Sequence, residues 1–183
     1  RCYDQIKMSV CYSNANVKII GSHGGLVTGQ DGPSAQAILD VSLMRTMPNM
    51  TVIVPADYFE TKMATLAIAE HFGPAYLRTT REGVPVLFDE NHEFRIGKAN
   101  VIEEGNDVAL IACGHMVGQA LEAKKLLKQK NISASVINMA TIKPIDETAI
   151  VKAAKNTGFV VTCEDHSIIG GLGSAVAEVL GEK

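Results

Sequence analysis

The sequence predicts an α/β fold made of two units, each with a mostly parallel sheet flanked by helices. Short apolar runs of strand length alternate along the chain with segments whose apolar residues recur at helical spacing. The alternation stops over residues 81–98, which are rich in polar and turn-forming residues, and then restarts. Such alternation is typical of parallel sheets, because crossover helices cover the sheet faces. We therefore predict a first unit over 1–80, a connector over 81–98 and a second unit over 99–183.

In the first unit, a helix precedes a strand three times. Helices are predicted over 1–13, 35–47 and 57–72, and strands over 17–22, 51–54 and 75–79. Ser34 is a candidate N-cap for the second helix, and Asp57 with Glu60 forms a capping box for the third. In the connector, residues 84–88 are predicted to be extended.

The second unit restarts with two strands and continues as an alternation. Asp146 is the predicted N-cap of its second helix. Strands are predicted over 99–102, 108–113, 135–139 and 159–163, and helices over 116–130, 146–156 and 172–180.

Composition excludes several function classes. The 183 residues carry a net charge of −3 without clustered Lys and Arg, which argues against nucleic-acid binding. The longest apolar stretches, such as 108–113, are too short to cross a membrane, and no signal peptide is recognisable. The four cysteines lack C-x-x-C spacing, which argues against a zinc or redox site and favours a reducing cytoplasmic location.

The most informative stretch is a glycine-rich loop between the strand over 17–22 and the following helix. Five glycines fall within residues 21–32, together with His23 and Asp31. Strand, glycine-rich loop and helix form the layout of a ligand site at the carboxyl end of a parallel sheet. His23 either binds an anion or bonds to the turn backbone. Asp31 is either a ligand-binding carboxylate or an Asx-turn residue, and one carboxylate alone does not make a magnesium site.

Two arginines lie at the end of the strand over 75–79. Arg78 and Arg81 are suited to capture of phosphate or carboxylate through the guanidinium group, and the alternative is a solvated surface pair.

A second polar cluster, Glu164-Asp165-His166, follows the strand over 159–163 and leads into Gly170-Gly171-Leu172-Gly173. The glycines resemble a dinucleotide-binding fingerprint only loosely, because Val176 stands where a small residue is needed. We interpret them as a tight turn between strand and helix. Of the other histidines, His71 and His92 are predicted at the surface and His115 in a loop.

Several motifs together resemble the C-terminal part of transketolase, a thiamine diphosphate enzyme, over nearly the whole chain. The resemblance to its pyrimidine-binding domain lies in Arg-Cys-Tyr-Asp-Gln-Ile (1–6), Gly-Ser-His-Gly-Gly (21–25), Gly-Gln-Asp-Gly-Pro-Ser (29–34), Met-Arg-Thr-Met-Pro-Asn-Met (44–50) and Val-Pro-Ala-Asp (54–57). The resemblance to its C-terminal domain lies in Thr-Ile-Lys-Pro-Ile-Asp (141–146) and Glu-Asp-His-Ser-Ile-Ile-Gly-Gly-Leu-Gly (164–173).

The resemblance implies a substrate site. His23 and Arg81 would hold the phosphate of a sugar phosphate, and Asp31 would accept a hydrogen bond from a substrate hydroxyl. The family usually has His or Gln where this chain has Ala35, so Gln36 is a candidate replacement. Arg78 is a further candidate for the site.

The resemblance also implies partners and cofactors. Thiamine diphosphate and magnesium would be bound mainly by parts outside this chain, because the family's activating glutamate, its stacking aromatics and its diphosphate-binding domain lie upstream of the matched region. An N-terminal transketolase part or subunit is therefore an expected partner, and a homodimer is the expected assembly. The C-terminal domain is expected to be incomplete.

The function implied is transfer of a two-carbon ketol unit between sugar phosphates in the pentose phosphate pathway, by an enzyme whose C-terminal section is inactive alone. One alternative is a non-catalytic dimerisation or assembly subunit or fragment. Two related enzymes remain open. A 1-deoxyxylulose-5-phosphate synthase usually has Asp in place of His23, and a 2-oxoacid dehydrogenase beta subunit lacks the loop over 29–34.

Overall fold

The computed structural model describes residues 2–183 and arranges the chain around two four-stranded sheets. The strands are β1 (Lys18–Gly21), β2 (Thr51–Ile53), β3 (Ala75–Arg78), β4 (Asn100–Glu103), β5 (Val108–Ala112), β6 (Ala134–Asn138), β7 (Thr141–Lys143) and β8 (Val160–Cys163). The strand order is β1-β3-β2-β7 in the first sheet and β4-β6-β5-β8 in the second. In each sheet three strands are parallel, and one edge strand, β7 or β4, is antiparallel. The predicted α/β class with mostly parallel sheets is confirmed. Arg1, where the predicted first helix and first unit begin, lies outside the described residues.

The strands and helices follow the predicted order closely. The helices are α1 (Tyr3–Gln5), which continues as a π-helical segment (Ile6–Cys11), α2 (Asp40–Thr46), α3 (Tyr58–Glu70), α4 (Met116–Gln129), α5 (Glu147–Thr157) and α6 (Leu172–Glu182).

Strand β7 was not predicted, and it joins the two halves of the chain. It follows β6 of the second sheet but pairs with β2 of the first. Just beyond β2, Val54 N–H donates to the Ala140 carbonyl at 2.7 Å, and Val54 accepts from Gly114 N–H at 3.0 Å. Because Gly114 and Ala140 follow β5 and β6, the carboxyl ends of the parallel strands of both sheets meet. We call this contact the seam.

The predicted start of the second helix is wrong. Helix α2 begins at Asp40 rather than at residue 35, and Ser34 is not its N-cap. The reason is a tertiary contact, because Gly25 N–H donates to the Ala37 carbonyl at 2.8 Å and Gly24 forms a parallel bridge with Ala37. This pairing keeps residues 32–39 out of the helix and attaches them to the glycine-rich loop.

The predicted capping box of α3 is confirmed at Asp57, which has a second use, whereas Glu60 Oε2 accepts from Ala56 N–H at 2.7 Å instead of from Asp57 N–H. Asp57 Oδ1 accepts from Glu60 N–H at 2.9 Å. Asp57 Oδ2 accepts from the backbone N–H groups of Leu87 and Phe88 at 2.7 and 2.8 Å. These bonds hold residues 84–88 of the connector without a strand pairing.

The predicted surface position of His92 is wrong. Its side chain is only 6% exposed and its ring stacks on Phe88, with ring centres 3.8 Å apart. Its Nε2 lies 3.4 Å from Glu60 Oε1, which also accepts from Asn138 Nδ2 at 2.7 Å. The connector is therefore packed against α3 and β6 through buried polar groups.

Candidate functional site

The glycine-rich loop follows β1 and is anchored to the end of β3. Gly24 N–H donates to the Thr79 carbonyl at 3.1 Å. His23 adopts a left-handed backbone conformation (φ 63°), which is uncommon for a residue with a side chain and is found often at functional sites. A side chain at Gly24 would collide with the guanidinium group of Arg78, so only glycine allows the loop to pass this close.

Two of the three predicted substrate residues are in direct contact. Arg81 Nη1 lies 2.8 Å from Asp31 Oδ2 and donates to the Thr28 carbonyl at 3.3 Å. The side chains of Arg81 and Asp31 are 31% and 43% exposed, so both can reach a ligand in solvent.

His23 is linked to this pair through Thr28, a residue that the sequence did not single out. The buried Thr28 hydroxyl donates to the His23 carbonyl at 2.7 Å. The His23 ring is exposed, and its Nδ1 lies 3.0 Å from Ser22 Oγ. The segment Leu26–Asp31, which is two short 3₁₀-helical pieces separated by a kink at Gly29, therefore connects all three predicted residues.

Arg78 contacts a different set of residues from Arg81. It is buried, and its Nε lies 3.3 Å from Asp40 Oδ2. Its Nη2 donates to the carbonyls of Ala37 and Asp165, at 3.2 and 2.7 Å. The Tyr76 hydroxyl also donates to Asp40 Oδ2, at 2.7 Å. Burial is the main cause that raises the pKa of this hydroxyl, and the negative charge of Asp40 adds to the effect. Arg78 ties the end of β3 to the seam instead of presenting its guanidinium group to solvent.

Gln36 lies beside the loop and Ala35 is exposed next to it. Gln36 Nε2 is 3.4 Å from the Gly29 carbonyl, which is a long hydrogen bond. The Gln36 amide is therefore close to the turn that carries Asp31, and a ligand can displace its single weak bond.

The second polar cluster lies at the other side of the seam. Glu164 accepts from the N–H groups of Leu172 and Gly173 at 2.7 and 2.9 Å, and so caps the N-terminus of α6. Gly171 passes so close to the Glu164 carboxylate that a side chain there would collide with it. The predicted tight turn between strand and helix is confirmed. The Glu164 carboxylate stabilises this turn by binding the first N–H groups of α6.

Asp165 and His166 reach across the seam to the glycine-rich loop and to α2. Asp165 accepts from Leu26 N–H at 2.8 Å and from Val27 N–H at 3.2 Å. The buried ring of His166 accepts from Ser42 N–H at 3.3 Å. Sequence reasoning missed these contacts. The only signal in the sequence was that three polar residues follow the carboxyl end of a strand, which is where parallel sheets commonly form contacts or ligand sites.

His115 completes the seam. Its Nε2 lies 3.7 Å from Asp165 Oδ2, and its side chain is mostly buried. Burial lowers the pKa of His115, while the nearby Asp165 carboxylate acts in the opposite direction.

Two further features are absent from the described residues. Within 2–183, no group of three or more His, Cys, Asp or Glu side chains could hold a metal ion. None of the helices in the described part of the chain combines the length and apolar character that a membrane span requires.

Two family models match consecutive parts of the chain. Residues 1–86 match the transketolase pyrimidine-binding domain, and residues 97–183 match the transketolase C-terminal domain. The two matches agree with the resemblance predicted from the motifs.

Individual relatives agree with the models. A "putative transketolase C-terminal section" of Methanocaldococcus jannaschii is 47% identical, over 98% of this chain and 57% of the relative. A 1-deoxy-D-xylulose-5-phosphate synthase of Geobacter sulfurreducens is 40% identical, over 100% of this chain and 29% of the relative. A solved structure described as "split gene transketolase, inactive beta4 tetramer" superposes with a TM-score of 0.94 at 48% identity, over 100% of this chain and 59% of that one. The chain spans less than two thirds of each of these proteins.

Proposed function

Because the chain belongs to the transketolase family, we propose that it is the C-terminal section of a split, thiamine diphosphate-dependent transketolase. Together with an N-terminal part, it would transfer a two-carbon ketol unit between sugar phosphates. The observation that carries this proposal is the Arg81–Asp31 pair, held beside His23 at the carboxyl end of the first sheet.

The proposed phosphate site consists of Arg81 and His23. A guanidinium group can bind two phosphate oxygens at once, and a protonated imidazole adds a further donor. Arg81 is pre-oriented by Asp31 and by the Thr28 carbonyl, both of which use Nη1. The rest of the guanidinium group is left to face a ligand, and little conformational entropy is lost on binding.

The proposed role of Asp31 is to accept a hydrogen bond from a substrate hydroxyl. An ionised carboxylate has several acceptor positions, so Asp31 can keep its contact with Arg81 and accept a further bond. Gln36 would supply an additional amide contact in place of the family's residue at position 35. Arg78, being buried, is assigned a structural role in this proposal.

Family membership implies thiamine diphosphate as the cofactor, which supplies the nucleophilic carbon and accepts the electron pair released when the donor sugar is cleaved. The residues of this chain would bind and orient the sugar, and they exclude wrong orientations by fixing its phosphate. The diphosphate group and its magnesium ion are assigned to parts outside this chain, because the family resemblance places the domain that binds them upstream of the matched region.

The need for a second part is supported by the descriptions of two similar proteins. The M. jannaschii relative is named a transketolase C-terminal section, and the similar solved structure is described as a split gene transketolase in an inactive beta4 tetramer. We propose that this section is likewise inactive alone. The domain division at 81–98, the homodimer, the pentose phosphate pathway and the cytoplasmic location stay predictions.

Two other functions remain as alternatives. A non-catalytic assembly subunit is favoured by Ala35, which removes one expected sugar contact. The similarity to a 1-deoxy-D-xylulose-5-phosphate synthase keeps an enzyme of that kind as an alternative, while His23 favours a transketolase.

The test is reconstitution. One sample is the tagged chain purified alone, and the other is the tagged chain purified from extract of its source together with any polypeptide that binds it. Both samples are assayed with thiamine diphosphate, magnesium and two pentose phosphates. We expect ketol transfer only when the second polypeptide is present. Turnover by the pure chain would disprove its dependence on a partner. A second assay adds pyruvate and an aldose phosphate. A complex that transfers no ketol group but releases carbon dioxide from pyruvate in this assay would favour the synthase, and a complex without either activity would favour the assembly subunit.

A further inference from the structure

We propose that Asp165, in the second half of the chain, is a positioning residue for the substrate site in the first half. It would hold the Leu26–Asp31 turn in the conformation that presents His23, Asp31 and Arg81. This inference rests on the proposed function for its effect on catalysis, but its structural part can be tested without any activity.

The carboxylate of Asp165 binds the start of the turn with both oxygens. Oδ1 accepts from Leu26 N–H at 2.8 Å and Oδ2 from Val27 N–H at 3.2 Å. These N–H groups open a 3₁₀-helical turn, so they lack partners within it. The Asp165 side chain is only 9% exposed, and a side chain at Gly25 would collide with it. The loop backbone therefore lies directly against this carboxylate.

The turn transmits this contact to the substrate residues. Thr28 is the next residue after Val27, and its hydroxyl donates to the His23 carbonyl at 2.7 Å. The Thr28 carbonyl accepts from Arg81 at 3.3 Å. Asp31 lies beyond a kink at Gly29 (φ 63°) and pairs with the same guanidinium group. A shift of Thr28 would consequently act on His23 and Arg81 directly, and on Asp31 through its contact with Arg81.

Asp165 is itself fixed on the other side. Its carbonyl accepts from Arg78 Nη2 at 2.7 Å, and that nitrogen also binds the Ala37 carbonyl. His115 Nε2 lies 3.7 Å from its carboxylate. A backbone hydrogen bond also holds the segment after Asp165, because Ser167 N–H donates to the Ile38 carbonyl at 3.0 Å. The carboxylate therefore cannot follow the turn if the turn moves, and so it restrains the turn.

The role proposed is geometric. The Asp165 carboxylate is buried against the loop and each of its oxygens accepts from a backbone N–H group, so the role proposed for it is to hold the turn and not to contact the sugar. Its loss should weaken binding of the phosphate and leave the chemical step nearly unchanged, which appears as a higher KM at similar kcat.

The experiment compares Asp165→Ala and Asp165→Asn with Ser167→Ala in the complete protein. Asn keeps the shape and one acceptor oxygen, whereas Ala removes both. Ser167 is a matched control, because its hydroxyl lies in the same segment but accepts from Ile169 N–H within that segment.

The first measurement is amide hydrogen exchange. We expect exchange at Leu26 and Val27 to become about 10-fold faster in Asp165→Ala and less so in Asp165→Asn, with β5 and α4 unchanged. Ser167→Ala should match the wild type. Unchanged exchange at Leu26 and Val27 would overturn the proposal. If Asp165→Ala does not fold, the nearly isosteric Asn variant decides.

The second measurement is the kinetics of the reconstituted enzyme. We expect KM for the sugar phosphate to rise about 10-fold in Asp165→Ala, with kcat within about twofold and partial recovery in Asp165→Asn. Faster exchange with an unchanged KM would overturn the link to substrate binding. If the wild-type complex has no ketol transferase activity, the proposed function fails, and the exchange result alone decides whether Asp165 holds the turn.

Discussion

The two sheets have the same plan, but their carboxyl ends use polar residues differently. At the end of the first sheet, Arg81 and Asp31 pair with each other and stay about one-third or more exposed. At the end of the second, the carboxylates of Glu164 and Asp165 are at least nine-tenths buried and each accepts from two backbone N–H groups.

This difference teaches that a polar cluster at a strand end is not by itself a binding site. A buried carboxylate that accepts hydrogen bonds from backbone N–H groups stabilises the fold. An exposed charged pair that keeps unused hydrogen-bonding positions can bind a ligand. The comparison can be tested by removing one group from each side of the seam.

The largest effect is expected from Arg81→Ala on the ligand-binding side. Loss of a charge-assisted bond costs about 1.5–3 kcal/mol, so KM for phosphorylated sugars should rise about 10- to 150-fold in the reconstituted enzyme. The control is Arg95→Ala, because Arg95 is an exposed arginine whose ion pair lies on the connector. An acceptor without phosphate should be much less affected, and equal losses for both acceptors would contradict the phosphate role.

On the other side of the seam, Glu164→Ala should change stability rather than substrate binding. It leaves the N–H groups of Leu172 and Gly173 without their acceptor, which costs about 1–3 kcal/mol in the free energy of unfolding. Urea denaturation measures this cost, with Glu182→Ala as the control at the exposed end of α6. A wild-type unfolding midpoint combined with a raised KM would reverse the assignment of the two sides.

The smallest effect is expected from pH through His115 in the seam. Burial lowers the pKa of this imidazole in the folded chain below its ordinary value of about 6.5. The unfolded chain therefore takes up a proton first, so this group's contribution to stability is complete above pH 6.5 and is lost as pH falls below it.

We expect the free energy of unfolding of the wild type to fall more between pH 7.5 and 5.5 than that of His115→Gln. Urea titrations of both proteins at several pH values measure the difference. Parallel curves would show that His115 does not contribute to the pH dependence.

Most elements could be predicted from local pattern, and so could the candidate residues of the loop. The order of strands and helices was visible because burial imposes a period of two or 3.6 on neighbouring residues. The Asp57–Glu60 capping box was visible because its partners are three residues apart. His23 and Asp31 were visible because glycine-rich sequence between strand and helix marks a loop that approaches a ligand.

Other features depended on contacts between distant segments. The start of α2 was shifted by pairing of residue 37 with the glycine-rich loop, and β7 joined the first sheet from the second half of the chain. His92 was predicted at the surface, but its ring stacks on Phe88 beside Glu60.

By itself, the sequence determined the α/β class, the sequence of elements and the glycine-rich loop with its polar residues, because these follow from interactions between residues close along the chain. Only the tertiary structure decided that Arg81 faces solvent while Arg78 is buried, and that Asp165 holds a turn 139 residues before it. The physical reason is that the unused hydrogen-bonding capacity of a side chain depends on which distant backbone groups pack against it. The residues next to it in the sequence do not identify those groups.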